Sequence, residues 1–160
     1  VKELTEMSDI NRGTFYLHYR DVFDLLEQIE AELMEEFNST LNRFDSEVIK
    51  AHPAKIFDEV FSLIKKNSDI VEILLGENGD IAFMNSLMAV LRDKCLSDFM
   101  EDFRRNDNEH FDIYYSYIIN GCLGIVRYWI ENGLKESPYE LSLITEQIVN
   151  DGVRGFVNKQ

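Results

Sequence analysis

The sequence is poor in the residues that interrupt or cross-link a chain: it has 8 Gly, 2 Pro and 2 Cys in 160 residues. So few turn residues predict few connections and long elements, which argues against a β-sandwich or barrel. Two cysteines, Cys95 and Cys122, make neither a disulfide framework nor a zinc site, and a reducing, cytoplasmic setting fits them best. No apolar run approaches the roughly 18 residues of a membrane span, and no secretory segment opens the chain.

Positive charge is also scarce, and its distribution is uneven. The chain has 16 Lys and Arg against 30 Asp and Glu, for a net charge of −14. Lys2, Arg12 and Arg20 balance three acidic residues in the first twenty positions, so the remainder of the chain carries the whole excess. This acidity argues against wide, non-specific nucleic-acid binding. It leaves DNA contact open for the one segment that is not acidic.

Apolar residues make up 45% of the chain, and they recur every three or four positions, which is typical of amphipathic helices. The spacing predicts helices over 1–7 and 10–19, a long helix from an Asp21 N-cap to Phe44, and one that begins near Pro53. Further helices are predicted over 70–75, 80–103 and 110–131, and a last one follows the capping box Ser137-Pro138-Tyr139-Glu140. The fold class is therefore all-α: a small helical pair (1–20) joined by a long helix to a larger, antiparallel helical bundle (21–160).

The first twenty residues carry the functional signal. A helix, a tight turn at Ser8-Asp9 and a second short helix form a helix-turn-helix, whose second helix enters the DNA major groove. The expected internal apolar residues are Leu4, Ile10, Phe15 and Tyr19. The residues expected to meet phosphates or base edges are Asn11, Arg12, Gly13, Thr14, Tyr16 and His18.

The stretch SDINRGTFYLHYRDVFDLL, within residues 4–26, resembles the helix-turn-helix of the TetR family of bacterial transcriptional regulators. The matching positions are Ile10, Gly13, Thr14, Phe15, Tyr16, His18, Tyr19, Leu25 and Leu26. The closing stretch IINGCLGIVRYWIENGLKESPYEL is similar to a subgroup that includes activators of dihydroxyacetone kinase operons. The resemblance implies a homodimer on a near-palindromic operator of double-stranded DNA, controlled by a small-molecule effector. It also implies that 1–20 is a partial helix-turn-helix module and that 21–160 is the ligand-binding and dimerisation domain. The residues themselves predict no enzymatic activity and no cofactor.

Three departures from the family pattern stand out. Asp9 occupies a turn position where the family usually has Gly, and Asp tolerates the left-handed backbone better than most residues. Val22 stands where the family usually has a Lys that contacts phosphate. Family members also carry a helix before the pair, whereas this sequence begins at Val1 inside the first helix of the pair. Either the module is incomplete or the natural protein is longer.

The helix over 110–131 is apolar on more faces than one core can cover. One face, suited to its own subunit, holds Tyr114, Ile118, Cys122, Ile125 and Trp129. A second face, expected to meet a symmetry mate, holds Ile113, Tyr117, Gly121, Gly124 and Tyr128. In the last helix, over 138–157, a similar surplus comprises Leu141, Leu143, Ile144, Ile148 and Val153. These two helices are the predicted dimer interface.

Other chemistry has less support. Aromatic and Met side chains of the middle helices could line an effector pocket or simply fill the core: Phe57, Phe61, Phe83, Met88, Phe103, Tyr114 and Tyr117. Asp107 and His110 lie three apart, but a di-iron bundle needs that spacing twice, so no metal site is predicted. No nucleophile has a recognisable base partner, and no phosphate loop exists. The alternative to a regulator is an all-α dimeric ligand- or partner-binding module with a decayed DNA-binding end.

Overall fold

The computed structural model describes residues 1–45, 51–76, 79–93 and 111–157, with the backbone alone for 111 and 152–157. Within these ranges the chain is helical and has no strand, which confirms the all-α prediction. The helices are α1 (Lys2–Met7), α2 (Arg12–His18), α3 (Val22–Asn42), α4 (Pro53–Lys66), α5 (Ser68–Leu75), α6 (Ile81–Leu91), α7 (Phe111–Glu131) and α8 (Pro138–Val157). None of the helices in this part of the chain is long and apolar enough to cross a bilayer.

The chain divides into two compact units, residues 1–36 and 37–160. In the first unit, α1 packs against α2 and α3 follows. Asp21 caps α3, since its Oδ1 accepts hydrogen bonds of 2.9 Å from the N–H groups of Phe23 and Asp24. This confirms the predicted start of the long helix.

In the second unit, α8 packs mainly on α4, and α7 contacts α5 and α8. Trp129 of α7 is fully buried, its ring meets Phe61 edge-on at 5.7 Å, and its Nε1 donates to the Glu136 carbonyl at 3.1 Å. Polar contacts tie helix ends to neighbours: Arg127 donates to the Leu75 carbonyl at the end of α5, and the Ala54 N–H of α4 donates to Glu146 of α8. Each satisfies a backbone group that a helix end leaves without an internal partner.

The predicted residues at helix starts and ends are confirmed where the structure describes them. Pro53 lies in the first turn of α4. Ser137 and Glu140 form a reciprocal capping box, with the Ser137 N–H donating to the Glu140 carboxylate at 2.9 Å and the Glu140 N–H to the Ser137 hydroxyl at 3.2 Å. Gly133 ends α7 with φ +77°, a left-handed conformation. The helix predicted over 80–103 is α6 up to Leu91, and its part from residue 94 onward lies outside the described residues.

One expected core position, Ile10, and one expected interface position, Leu141, are wrong. Ile10 is 43% exposed, because it lies in the turn before α2 and helical spacing does not carry its side chain to the face of Phe15. Thr5 of α1 is buried instead, and its hydroxyl donates to the carbonyls of Val1 and Lys2. In the last helix, Leu141 is buried within its own unit and so does not belong to the apolar surplus.

Candidate nucleic-acid interface

The turn between α1 and α2 is built by Asp9. Its φ is +51°, so the left-handed conformation expected at this position is present without a glycine. The Ile10 N–H donates to the Thr5 carbonyl at 3.0 Å, and the Asp9 N–H donates to that of Glu6 at 3.5 Å. This pair of bonds closes the C-terminus of α1 in the manner of a Schellman motif. The turn thereby fixes the direction in which α2 starts.

Asn11 starts the second helix. Its Oδ1 accepts the Gly13 N–H at 2.7 Å, which is the N-cap interaction of α2. One acceptor of Asn11 is therefore used within the protein, while its amide N–H groups remain available as donors. A side chain at Gly13 would place a Cβ 3.1 Å from the same Oδ1, so the glycine also keeps this cap uncrowded.

The candidate DNA-binding residues lie together on the outer surface of α2. Phe15 is 2% exposed, and its ring contacts those of Tyr16 and Tyr19 with centroids 5.5 and 5.3 Å away. This single buried residue anchors the helix and directs the other positions outward. The six exposed candidates are Asn11, Arg12, Gly13, Thr14, Tyr16 and His18.

One exposed residue of α2 is absent from that set. Leu17 is 81% exposed, although leucine is a residue that normally seeks burial. The sequence carried a signal for it, since Leu17 lies two residues after the internal Phe15 and so falls on the opposite side of a helix.

The charges beside α2 are partly used within the protein. The Arg20 guanidinium lies 3.0 Å from the Asp24 carboxylate, and the Arg20 N–H donates to the same group at 2.8 Å. These bonds hold the pKa of Asp24 below its usual value and raise the pKa of Arg20. Within the described residues Arg12 pairs with no carboxylate, and its side chain is exposed. Val22 is exposed at the start of α3, where a lysine would be accommodated.

The candidate effector-binding residues do not share one environment. Phe57 and Phe61 of α4 stack with centroids 6.4 Å apart, and Phe61 reaches Trp129 in the core. Phe83 and Tyr114 are buried, Met88 is half-buried, and Phe103 lies outside the described residues. Tyr117 is instead exposed on α7, in a shallow depression lined also by Ile113 and Asn120.

The exposed face of α7 contains the five residues predicted to face outward. Ile113, Tyr117 and Tyr128 are each more than 60% exposed, and a Cβ added at Gly121 or Gly124 would meet no heavy atom within 4 Å. The opposite face holds Tyr114, Ile118 and Trp129, all buried. On α8, Leu143, Ile144 and Ile148 are exposed as well.

The described residues show little that resembles a catalytic or metal site. No group of three His, Cys, Asp or Glu residues in the described ranges could hold a metal ion. Burial raises the pKa of the Cys122 thiol to about 11, so the thiolate that acts as a nucleophile is scarce near neutral pH.

Comparison with known proteins gives the family. Residues 51–151 match the family described as the transcriptional regulator C-terminal region, a C-terminal domain of TetR-type proteins. No curated protein and no solved structure matches the chain. The matched range spans more than half of the 160 residues and includes α4 to α7 and most of α8. The chain therefore belongs to the TetR family of transcriptional regulators.

Proposed function

We propose that this regulator binds a near-palindromic operator in double-stranded DNA as a homodimer, under the control of a small-molecule effector. The observation that carries the DNA-binding part is the geometry of α2. One residue, Phe15, is buried, and every predicted DNA contact on that helix is exposed. The family match covers the other end of the chain, so the two lines of support come from different residues.

Each candidate contact has a distinct role in this proposal. Arg12 has a free guanidinium near the start of the helix, where side chains of a recognition helix reach base edges. Tyr16 and Thr14 contact phosphate through their hydroxyls, and such contacts set the register without reading sequence. Asn11 and His18 add donors at the two ends of α2.

The experiment is a selection of operator sequences from a randomised duplex library, followed by a salt titration of the selected site. Arg12→Ala should relax the preference at one operator position and cost about 1–3 kcal/mol, whereas Tyr16→Ala should weaken all sequences alike. Lys2→Ala is the matched control, since it also removes one exposed cation but lies on α1. Identical sequence preferences for wild type and Arg12→Ala would exclude Arg12 from base readout.

The homodimer rests on the exposed faces of α7 and α8. So many large exposed apolar side chains along two helices are unusual on a soluble monomer and typical of an association site. Gly121 and Gly124 present bare backbone on the outer face of α7, so a helix from a second copy can approach closely there. An isologous contact between two such faces has the two-fold symmetry that a palindromic operator requires.

The effector would bind in the second unit, among the aromatic and Met side chains named above. A ligand that prefers one spacing of the two recognition helices shifts operator affinity by its differential affinity for the two states. A compound present at 100 times its Kd should raise the free energy of unfolding by about 2.7 kcal/mol. A thermal-shift screen detects this, and the same compound must then change operator affinity.

A second candidate function is a dimeric ligand- or partner-binding module whose DNA-binding end has decayed. The pairing of Arg20 with Asp24 and the apolar Val22 favour it, because both reduce the positive charge available to phosphates. This candidate predicts no sequence-selective DNA binding even at low salt. Selective binding that weakens steeply with salt contradicts it.

A further inference from the structure

The centre of the outer face of α2 is apolar. Successive residues of an α-helix are rotated by about 100°, so the direction opposite Phe15 falls between Gly13 and Leu17, about 20° from each. Gly13 and Leu17 are also one turn apart, so they lie one above the other on the same face. Leu17 is 81% exposed, and Gly13 has no side chain. Leu17 is therefore the side chain that extends farthest from the middle of this face.

The hydrogen-bonding residues flank this apolar centre. Arg12 and Tyr16 lie on one side of it, and Thr14 and His18 lie on the other, at about 80–120° from the centre by the same rotation. A helix in the major groove presents the middle of its outer face to the base edges and its flanks to the two phosphate walls. Thr14, Tyr16 and His18 are thus better placed for the walls, and Leu17 for the bases. Arg12 lies at the start of the helix, where its long side chain can still reach a base edge.

An apolar side chain can recognise one group in the major groove of unmodified DNA, the C5-methyl of thymine. Against a guanine or cytosine edge, leucine would instead bury donors and acceptors without partners, which is unfavourable. Resting on the DNA-binding function proposed above, we propose that Leu17 contacts a thymine methyl, so that each operator half-site has an A·T pair at this position.

Because the first unit has little positive charge, this contact should matter more for DNA affinity. Arg20 is held by Asp24, and Lys2 lies 3.9 Å from Glu6. With few cations free for phosphates, the sequence-independent part of the affinity is small. Contacts to base edges then contribute a larger share of the total DNA affinity.

The test is a double-mutant cycle, in which the thymine methyl is removed from the DNA and the Leu17 side chain is removed from the protein, separately and together. The full chain is first used to select an operator, and each thymine of a half-site is then replaced by deoxyuridine, which lacks only the C5-methyl. Replacing the contacted thymine in one half-site should lower the affinity of the wild type about fourfold, because one buried methyl-sized group is lost. Replacing it in both half-sites should lower the affinity about 15-fold. For Leu17→Ala, thymine and deoxyuridine operators should bind alike.

Thr14→Ala is the matched control, because it shortens a flanking residue of the same helix. It should weaken both operators but preserve the preference for thymine. Leu17 is exposed, so its truncation leaves the core intact, and circular dichroism checks the fold. Selective DNA binding without a deoxyuridine effect at any thymine, or an unchanged preference in Leu17→Ala, overturns the inference alone. A wild type that selects no sequence overturns the proposed function and the inference together.

Discussion

The double substitution Gly121→Arg plus Gly124→Arg should abolish the dimer and leave the protomer folded. Both glycines lie on the exposed stripe of α7, and no heavy atom lies within 4 Å of an added Cβ at either one. Arginine is also a better helix former than glycine by roughly 0.5–1 kcal/mol per position. The isolated protomer is therefore expected to be at least as stable as before.

The proposed dimer should dissociate, because two-fold symmetry would bring four added guanidinium groups into one contact. Burying one charge without a partner costs several kcal/mol, and the longer side chains also hold the two helices apart. A loss of only about 4 kcal/mol already raises the dimer Kd roughly 1,000-fold. Sedimentation equilibrium or light scattering at micromolar concentration should change from a dimer to a mass near 18.7 kDa.

The matched control is Ala82→Arg plus Ala89→Arg, which adds the same charge at two exposed small residues of α6. It should keep the dimer. A Gly121→Arg plus Gly124→Arg protein that still sediments as a dimer would refute this choice of face. A wild type that is itself monomeric would refute the dimer altogether.

Three further outcomes are expected. Val22→Lys should tighten operator binding and steepen the salt dependence by about one unit per protomer, and an unchanged slope in a salt titration would place this position out of reach of phosphate. Asp9→Val should destabilise the chain by about 1–3 kcal/mol in urea unfolding, because φ is +51° there, whereas Asp9→Gly should not. Bonds from Arg20 lower the pKa of Asp24, so its ionised carboxylate stabilises the fold above about pH 3.8 and this stabilisation is lost as pH falls through the depressed pKa. Thermal unfolding between pH 7 and pH 3 should therefore vary less for Asp24→Asn, and parallel curves for both proteins would exclude the effect.

The helices and their ends could largely be predicted from the sequence, because caps depend on residues close in the chain. Asp21 and the Ser137–Glu140 box each accept hydrogen bonds from backbone N–H groups within four positions of themselves. Pro53 suits the first turn of α4 because it has no N–H that needs a partner there. The left-handed turn at Asp9 was predictable for the same reason. It was also predictable that α7 presents an apolar face outward, since a helix with apolar residues all round must leave one face for another surface. Periodicity alone did not decide which of its two faces that is.

It was harder to predict which side chains are buried. Burial depends on the residue at which a helix begins and on whether an uncharged polar side chain finds hydrogen-bond partners. Ile10 fits the spacing of Phe15 and Tyr19 but lies before the Asn11 N-cap, so its exposure follows from the cap. Thr5 is buried because its hydroxyl finds carbonyls of its own helix, which no hydrophobicity pattern indicates. Leu17 was not among the predicted DNA contacts for the opposite reason, since those contacts were identified by donors and acceptors and an aliphatic side chain has neither.

The acidity of the chain and its proposed DNA binding are compatible once specificity is separated from affinity. Non-specific binding arises mainly from phosphate neutralisation, and in the first twenty residues Arg20 is already neutralised by Asp24. As the proposed recognition helix, α2 has one arginine without an ion pair and an apolar centre, so its binding to random DNA should be weak. In a cell the useful quantity is the ratio of operator to random-site affinity, because non-specific sites greatly outnumber the operator. If α2 reads DNA as proposed, the low charge lowers the absolute affinity but favours the ratio of operator to random-site affinity. Val22→Lys should accordingly raise the affinity for random DNA at least as much as the affinity for the operator.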